Sequence, residues 1–422
     1  MTGPVTGPHP TFGDAARFWL RLGFISFGGP AGQIAVMHRE VVERRAWLDE
    51  RQFAGALNFC MLLPGPEALQ LAIYLGWKLH GVRGGLVAGL AFIGPAIVLL
   101  LGLSYAYARF GHLPAASGVL LGLKAAVVAL VLKALVAIGR RSLAGPLHVA
   151  LAISAFIALQ WLQLPFPLVV LAAGAIGFAS AGRAPRAVVR PATESVKRRD
   201  LLRIAAAGLV LWIVPLVPVV LLLGAGSLWT RLYLFFTQAA LVTFGGAYAV
   251  LGYATQHLVQ DLGWVTAQQS VAGLALAETT PGPLVIVLQF MGFAAGWNNP
   301  APLDPPAAAL LAALLASWAT FLPSFVFIFL GAPYVERITH EPRIAAALAA
   351  ITAAVVGIIG TLAVLLARVV LFPAGIDGQP AWAALAIAVA AWLALRRTRI
   401  DLLWVLAAAA AAGLCAERAG WA

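Results

Sequence analysis

Phe27-Gly28-Gly29 and Pro64-Gly65-Pro66 both return later in the chain, as Phe244-Gly245-Gly246 and Pro281-Gly282-Pro283. The spacing within each pair of triplets is the same, and the numbering offset between copies is 217 for both. Trp47 and Trp264 share that offset. An ungapped comparison of 27–66 with 244–283 gives 10 identities in 40, six of them in the triplets and a seventh at the tryptophan. Shared apolar composition would scatter matches over Ala, Leu and Val. These fall on Gly, Pro and Trp, so the chain carries an internal duplication. The repeat continues at an offset of 228: Pro95 with Pro323, Arg109 with Arg337, His112 with His340, Pro114 with Pro342, and Ala125–Val128 with Ala353–Val356. The insertion that changes the offset falls near Asn298–Pro306, a loop-like run.

Of the 422 residues, 62% are apolar and 10% charged. That is the composition of an integral membrane protein, with the lipid bilayer as its solvent. Gly (42) and Pro (26) are plentiful, as polytopic helical membrane proteins tolerate. Cys60 and Cys415 lie in apolar runs and suggest neither a disulfide framework nor a metal site. The polar stretch 1–9 lacks a basic segment leading to a cleavage site, so no removable signal peptide is expected. A net charge of +12 reads as the positive-inside bias, and no nucleic-acid partner is expected.

Thirteen apolar segments are expected, at 15–37, 53–77, 84–108, 117–139, 146–162, 165–181, 204–226, 231–255, 271–296, 307–331, 344–367, 381–395 and 400–416. The repeat groups them as six, one connecting segment, and six. Accordingly 1–181 is read as the first half and 182–230 as a basic cytoplasmic linker plus the connecting segment. Residues 231–422 make a second, inverted half. The expected class is an all-α polytopic membrane protein of about 10–13 apolar segments, in two homologous inverted halves with broken or re-entrant helices. With Gly182–Arg203 and the N-terminus in the cytoplasm, most basic loops fall inside. Full spanning would leave 38–51, with four arginines, outside and the arginine-free 256–269 inside. Re-entry of the Phe-Gly-Gly and Pro-Gly-Pro segments swaps both loops to their expected sides. The short segments at 146–162, 165–181, 381–395 and 400–416 are expected to tilt or lie partly in the interface.

Pro-Gly-Pro cannot continue a helix smoothly. Pro64 removes a donor and biases Leu63 away from α, and Pro66 suits the start of a new helix. The free N–H groups of a helix start favour an anion, and Gly65 and Gly282 allow close approach. The alternative is a plain kink, or for Gly28-Gly29 and Gly245-Gly246 tight helix packing. Candidate substrate contacts are therefore Phe27, Gly28, Gly29, Gln33, Pro64, Gly65, Pro66, Gln70, Lys124, Gly245, Gly246, Thr279, Thr280, Pro281, Gly282 and Pro283. Glu67 and Glu278 flank the two breaks and are candidates for proton coupling. Glu67 reads equally as a carboxylate favouring a helix start. Lys124, within an apolar segment, has no acid three or four residues away. Its partner is expected to be a transported anion, Glu67 or Glu278. No metal-ligand spacing, phosphate loop or nucleophile elbow is present, so no cofactor and no enzyme activity is expected. A membrane enzyme on a lipid substrate is the rival class.

The stretches Phe27-Gly-Gly-Pro-Ala-Gly-Gln-Ile-Ala, Val42-Glu-Arg-Arg-Ala-Trp47 and Leu62-Leu-Pro-Gly-Pro-Glu-Ala-Leu-Gln resemble the chromate ion transporter family. In the second half Phe244-Gly-Gly-Ala-Tyr-Ala-Val250 and Ala277-Glu-Thr-Thr-Pro-Gly-Pro283 carry the same resemblance, which covers about 15–370. Gly252 departs from it, where the pattern has proline. The resemblance implies a long-chain, two-domain bacterial exporter of chromate in the inner membrane, driven by potential or a proton gradient and conferring resistance. Sulfate is the alternative substrate, and a homodimer is left open.

Overall fold

The computed structural model describes residues 10–181, 198–244, 246–332, 341–375, 378–397 and 400–421. Most of the expected linker, Gly245, and the repeat positions Arg337 and His340 lie outside the described residues.

Every described element is helical. The first half contains α1 (Phe12–Ile25), α2 (Gly29–His38), α3 (Glu50–Leu62), α4 (Glu67–Phe110), α5 (Pro114–Ser142), α6 (Pro146–Gln160) and α7 (Phe166–Ser180). After the connecting helix α8 (Arg198–Leu223) come α9 (Leu228–Val242), α10 (Ala247–Thr255), α11 (Ala267–Glu278) and α12 (Val287–Asn298). The chain ends with α13 (Pro305–Gly331), α14 (Pro342–Leu371), α15 (Trp382–Arg397) and α16 (Leu402–Arg418). Five of these, α4, α5, α8, α13 and α14, are long and apolar enough to cross a bilayer.

The four triplet-bearing apolar segments are each divided in two, and each resulting pair doubles back. Phe12 touches His80, ring to ring at 5.5 Å, while Gly23 lies against Ala91 and Phe92. Helix α1 therefore runs alongside the second arm of α4, in the same direction. Yet Trp47, beyond α2, lies 5.2 Å from Phe18 in the first half of α1. So α2 returns to the face from which α1 came. The next pair does the same, with Phe59 of α3 5.8 Å from Tyr74 of α4. Helix α4 then breaks at His80 and Gly81 (φ 63°) and starts its crossing. We call the face holding His80 the near face.

The second half repeats this from the other side. Phe235 of α9 stacks at 4.5 Å on His257, beyond α10, and Gly273 of α11 lies against Phe290 of α12. The bases of these hairpins sit at the far end of α4, where Tyr105 meets Trp297 at 6.1 Å. Helix α13 runs back antiparallel to α4, with Phe325 on Gly89 and Phe329 on Gly85. The two halves are thus inverted, and both sets of hairpins re-enter.

Local geometry repeats at the same offset of 217. A π-helical turn closes the first hairpin at Arg39–Arg44 and the second at Gln256–Asp261. Trp47 donates its backbone N–H to Val41 O at 2.9 Å, and Trp264 donates to Leu258 O at 2.9 Å. Asp49 and Gln52 form a capping box on α3, as Thr266 and Gln269 do on α11. The short helices are exchanged between halves. Helices α6 and α7 pack on α14, while α15 and α16 pack on α5. At 15 to 17 residues they reach only about 22–26 Å, less than the apolar core of a bilayer. Leaning on a long helix of the opposite half covers the face that length alone would leave unsupported.

Candidate functional site

The four hairpin tips meet at the centre of the molecule, and they meet crosswise. Gly65 N–H donates to Thr243 O at 2.8 Å, and Gly282 N–H donates to Ser26 O at 2.8 Å. Each Pro-Gly-Pro is therefore tied to the residue preceding the Phe-Gly-Gly of the other half. Prolines flank each glycine, so this N–H is the one donor the triplet offers. Both glycines need their conformation: Gly65 has φ 126° and Gly282 φ 103°, a region costly for any residue with a Cβ. A Cβ on Gly65 would press on Gln70 and Ser324, and one on Gly282 on Ala96. Ser324 and Ala96 are themselves repeat counterparts, in the register that pairs Pro95 with Pro323.

The carbonyls exposed by the breaks are largely occupied. Gln33 Nε2 donates to Ser26 O at 3.3 Å and closely to Gly282 O. Gln70 Nε2 donates to Pro64 O at 2.7 Å. The hydroxyls of Ser26 and Thr243 bond back to Leu22 O and Ala239 O in their own helices, and those of Thr279 and Thr280 to Leu276 O. The helix starts are treated differently. No side chain caps the N-terminus of α2, α4 or α10. Nothing lies within 4 Å of the Cβ side of Gly28, Gly29 or Gly246, and Gly28 is exposed. Where carbonyls are satisfied and helix N-termini are open, the local field favours negative charge. The amide oxygens of Gln33 and Gln70 and the hydroxyl of Thr320 are buried there without a partner.

Pro66 stands just ahead of α4 rather than inside it, so Glu67 is the first helical residue. No ion pair to Glu67 is present among the described residues. Glu278 is buried at the end of α11 and accepts a hydrogen bond from Tyr248 at 2.7 Å. Tyr248 is a partner that sequence reading missed. Its repeat counterpart is Ala31, as Met61 is that of Glu278. Ser26 and Thr243 were missed too. A hydroxyl residue directly before each Phe-Gly-Gly was the available signal.

Lys124 is not brought to the tips, which corrects the expected pairing with Glu67 or Glu278. Its Nζ donates to Gln268 Oε1 at 3.1 Å, and Gln268 Nε2 donates in turn to Val369 O at 3.1 Å. The cause is the packing of α5 on α11. Gln268 stands ten residues before Glu278, about 15 Å along the helix. Beside Gln268 a cavity of 420 Å³ opens toward the far face, lined by Thr255, Gln256, Gln260, Thr361 and Arg368 among others.

An all-helical membrane chain of two inverted halves, with paired re-entrant tips at its centre, has the architecture of a secondary transporter. The family profile described as "Chromate transporter" matches residues 13–178 and 230–414. The chain belongs to that family. It is 30% identical over 371 residues to a "Chromate transport protein" of Cupriavidus metallidurans, covering 86% of this chain and 84% of the relative. It is 32% identical over 363 residues to a "Chromate transport protein" of Pseudomonas aeruginosa, covering 84% and 80%. A "Probable chromate transport protein" of Synechococcus elongatus is 28% identical over 372 residues, covering 85% and 86%. No solved structure matches the chain.

Proposed function

We propose that this protein exports chromate across the bacterial cytoplasmic membrane and thereby confers resistance, with the near face toward the cytoplasm. The observation that carries the reading is the crosswise joining of Gly65 to Thr243 and Gly282 to Ser26, which gathers open helix N-termini at one central point. Curated relatives named for chromate transport support the choice of ion, and sulfate is a dianion of similar shape. The arginines of 39–51 on the near face support the orientation.

A dianion leaving an inside-negative cell gains about 4.6 kcal/mol per 100 mV, twice the single-charge value. That corresponds to more than three decades of concentration ratio, so the membrane potential suffices as a driving force. A proton gradient would add to it through Glu67 or Glu278. These carboxylates stand beside the proposed path, and a dianion passes an acid more easily when the acid is neutral. Chromate flux into inverted vesicles, with the potential set by a potassium gradient and valinomycin, tests the proposal. Flux should rise steeply with a positive interior and should compete with sulfate to an extent that defines selectivity. Absence of chromate flux in vesicles that contain the folded protein would overturn it.

A further inference from the structure

Lining positions of the far-face cavity have repeat counterparts on the near face, and several of them differ in charge. Gln256, Gln268, Thr361 and Arg368 line the far cavity. At the offsets of 217 and 228 their counterparts are Arg39, Arg51, Lys133 and Arg140. One cation among four positions becomes four. The register is not a matter of alignment alone. The π turns that carry Arg39 and Gln256 superpose in sequence, and the capping boxes beside Arg51 and Gln268 are built from equivalent residues.

All four near-face side chains are exposed. Arg39 and Arg51 directly follow His38 and Glu50, which bond each other at 2.7 Å across the hairpin base. Lys133 and Arg140 are seven residues apart on α5 and so share one helix face. The acids nearby are already used. Glu40 pairs with Arg44 and Arg45, while Glu43 and Glu50 pair with His38. Among the described residues no ion pair reaches Arg39, Arg51, Lys133 or Arg140. A general excess of positive charge on one membrane face accounts for the number of basic residues. It does not account for neutralising Arg44 and Arg45 while leaving bare the two arginines whose counterparts line a cavity.

We infer that Arg39, Arg51, Lys133 and Arg140 form a cation-lined antechamber that collects oxyanions at the near face, and that its less charged counterpart at the far face lets them go. This rests on the transport reading and adds to it a second, peripheral anion site and a built-in difference between the two mouths. Clustered cations at a cleft raise the local anion concentration and the association rate, and salt screens the effect.

The test uses the full-length protein in vesicles of sorted orientation, with chromate offered to one face at a time. In Arg39→Gln/Arg51→Gln, KM from the near face should rise about tenfold at low ionic strength. In half-molar salt the rise should shrink to about twofold, and KM from the far face should stay as in wild type. Gln256→Arg/Gln268→Arg should lower KM from the far face. Arg199→Gln, on the near-face end of α8 and outside the mouth, serves as control for bulk surface charge. An equal change from both faces, no change from either, or the same change in Arg199→Gln would overturn the antechamber while wild-type flux keeps the transport reading intact. A folded wild type that carries no chromate from either face would overturn both.

Discussion

Asn58 and Ala275 occupy the same position in the two halves, yet Asn58 is exposed and Ala275 is buried. The difference runs along α3 and α11 toward the tip. Ala31, Ala35, Arg39, Arg51, Ala54 and Met61 are exposed in the first half, whereas Val271 and Glu278, counterparts of Ala54 and Met61, are buried in the second. In the second half α10 and α11 pack against α14. In the first, α2 and α3 present small and polar residues outward. Polar Asn58 and unpaired Arg39 and Arg51 are poor company for lipid. Two halves of one plan therefore pack unlike: one hairpin pair lies on its long helix, and among the described residues the other makes no comparable packing with α5.

The largest effect is all-or-none and concerns inversion itself. Single cysteines at Arg51 and Gln268, in a Cys60→Ala/Cys415→Ala background, should react with an impermeant maleimide from opposite sides of the membrane. Labelling of both from one side would refute the inversion. Next come the tips. Gly65→Leu and Gly282→Leu should each abolish chromate flux while leaving the protein in the membrane, because both require positive φ at a close crossing. The alanine variants tell the two tips apart. Gly65→Ala presses on the movable ends of Gln70 and Ser324, Gly282→Ala on the Cβ of Ala96. Gly282→Ala should be the more damaging, and Ala96→Gly should recover part of its loss. Equal loss in both, with no recovery, would show that backbone strain alone decides.

A smaller effect is expected at Glu278, a buried carboxylate with a dedicated donor. Tyr248→Phe removes the hydrogen bond to Glu278 and leaves a buried acid less satisfied, a cost of about 1–3 kcal/mol. The melting temperature should fall, and Glu278→Gln in the same background should restore part of it, since a neutral amide is cheaper to bury than a charge. If Glu278 couples protons, Glu278→Gln should also remove the response of flux to a pH gradient while leaving the response to potential.

Inversion, re-entry and the breaks were legible in sequence for a physical reason. Gly, Pro and Trp mark backbone geometry and recur in both copies, while the arginines of 39–51, absent from 256–269, distinguish the two loops. The crosswise partners of the tips and the exchange of α6–α7 with α15–α16 were not legible. They depend on which apolar faces meet between segments far apart in the chain, and one Leu/Ala/Val face reads much like another. Lys124 shows the same limit. Its helix and its depth were evident, but its neighbour was not.

Lys124 supplies the smallest expected effect, and it tests whether the far mouth is tuned by its surroundings. Its ammonium holds Gln268 Oε1 while Gln268 Nε2 holds Val369 O. The lysine therefore fixes one wall residue of the far cavity and stands apart from the central tips. Its counterpart Thr352 spends its hydroxyl on Leu348 O at 2.8 Å within its own helix and fixes nothing across the interface. Lys124→Gln can replace the donor but removes a charge behind the far mouth. A single charge-assisted hydrogen bond at a partly exposed site is worth about 1 kcal/mol. KM for chromate from the far face should rise up to about fivefold, and KM from the near face should not move. Lys124→Arg should restore most of the difference, because the charge returns even though the fork is bulkier. A loss of flux from both faces in Lys124→Gln would instead place the lysine on the common path, and the division of labour between a central pairing site and two unlike mouths would have to be redrawn.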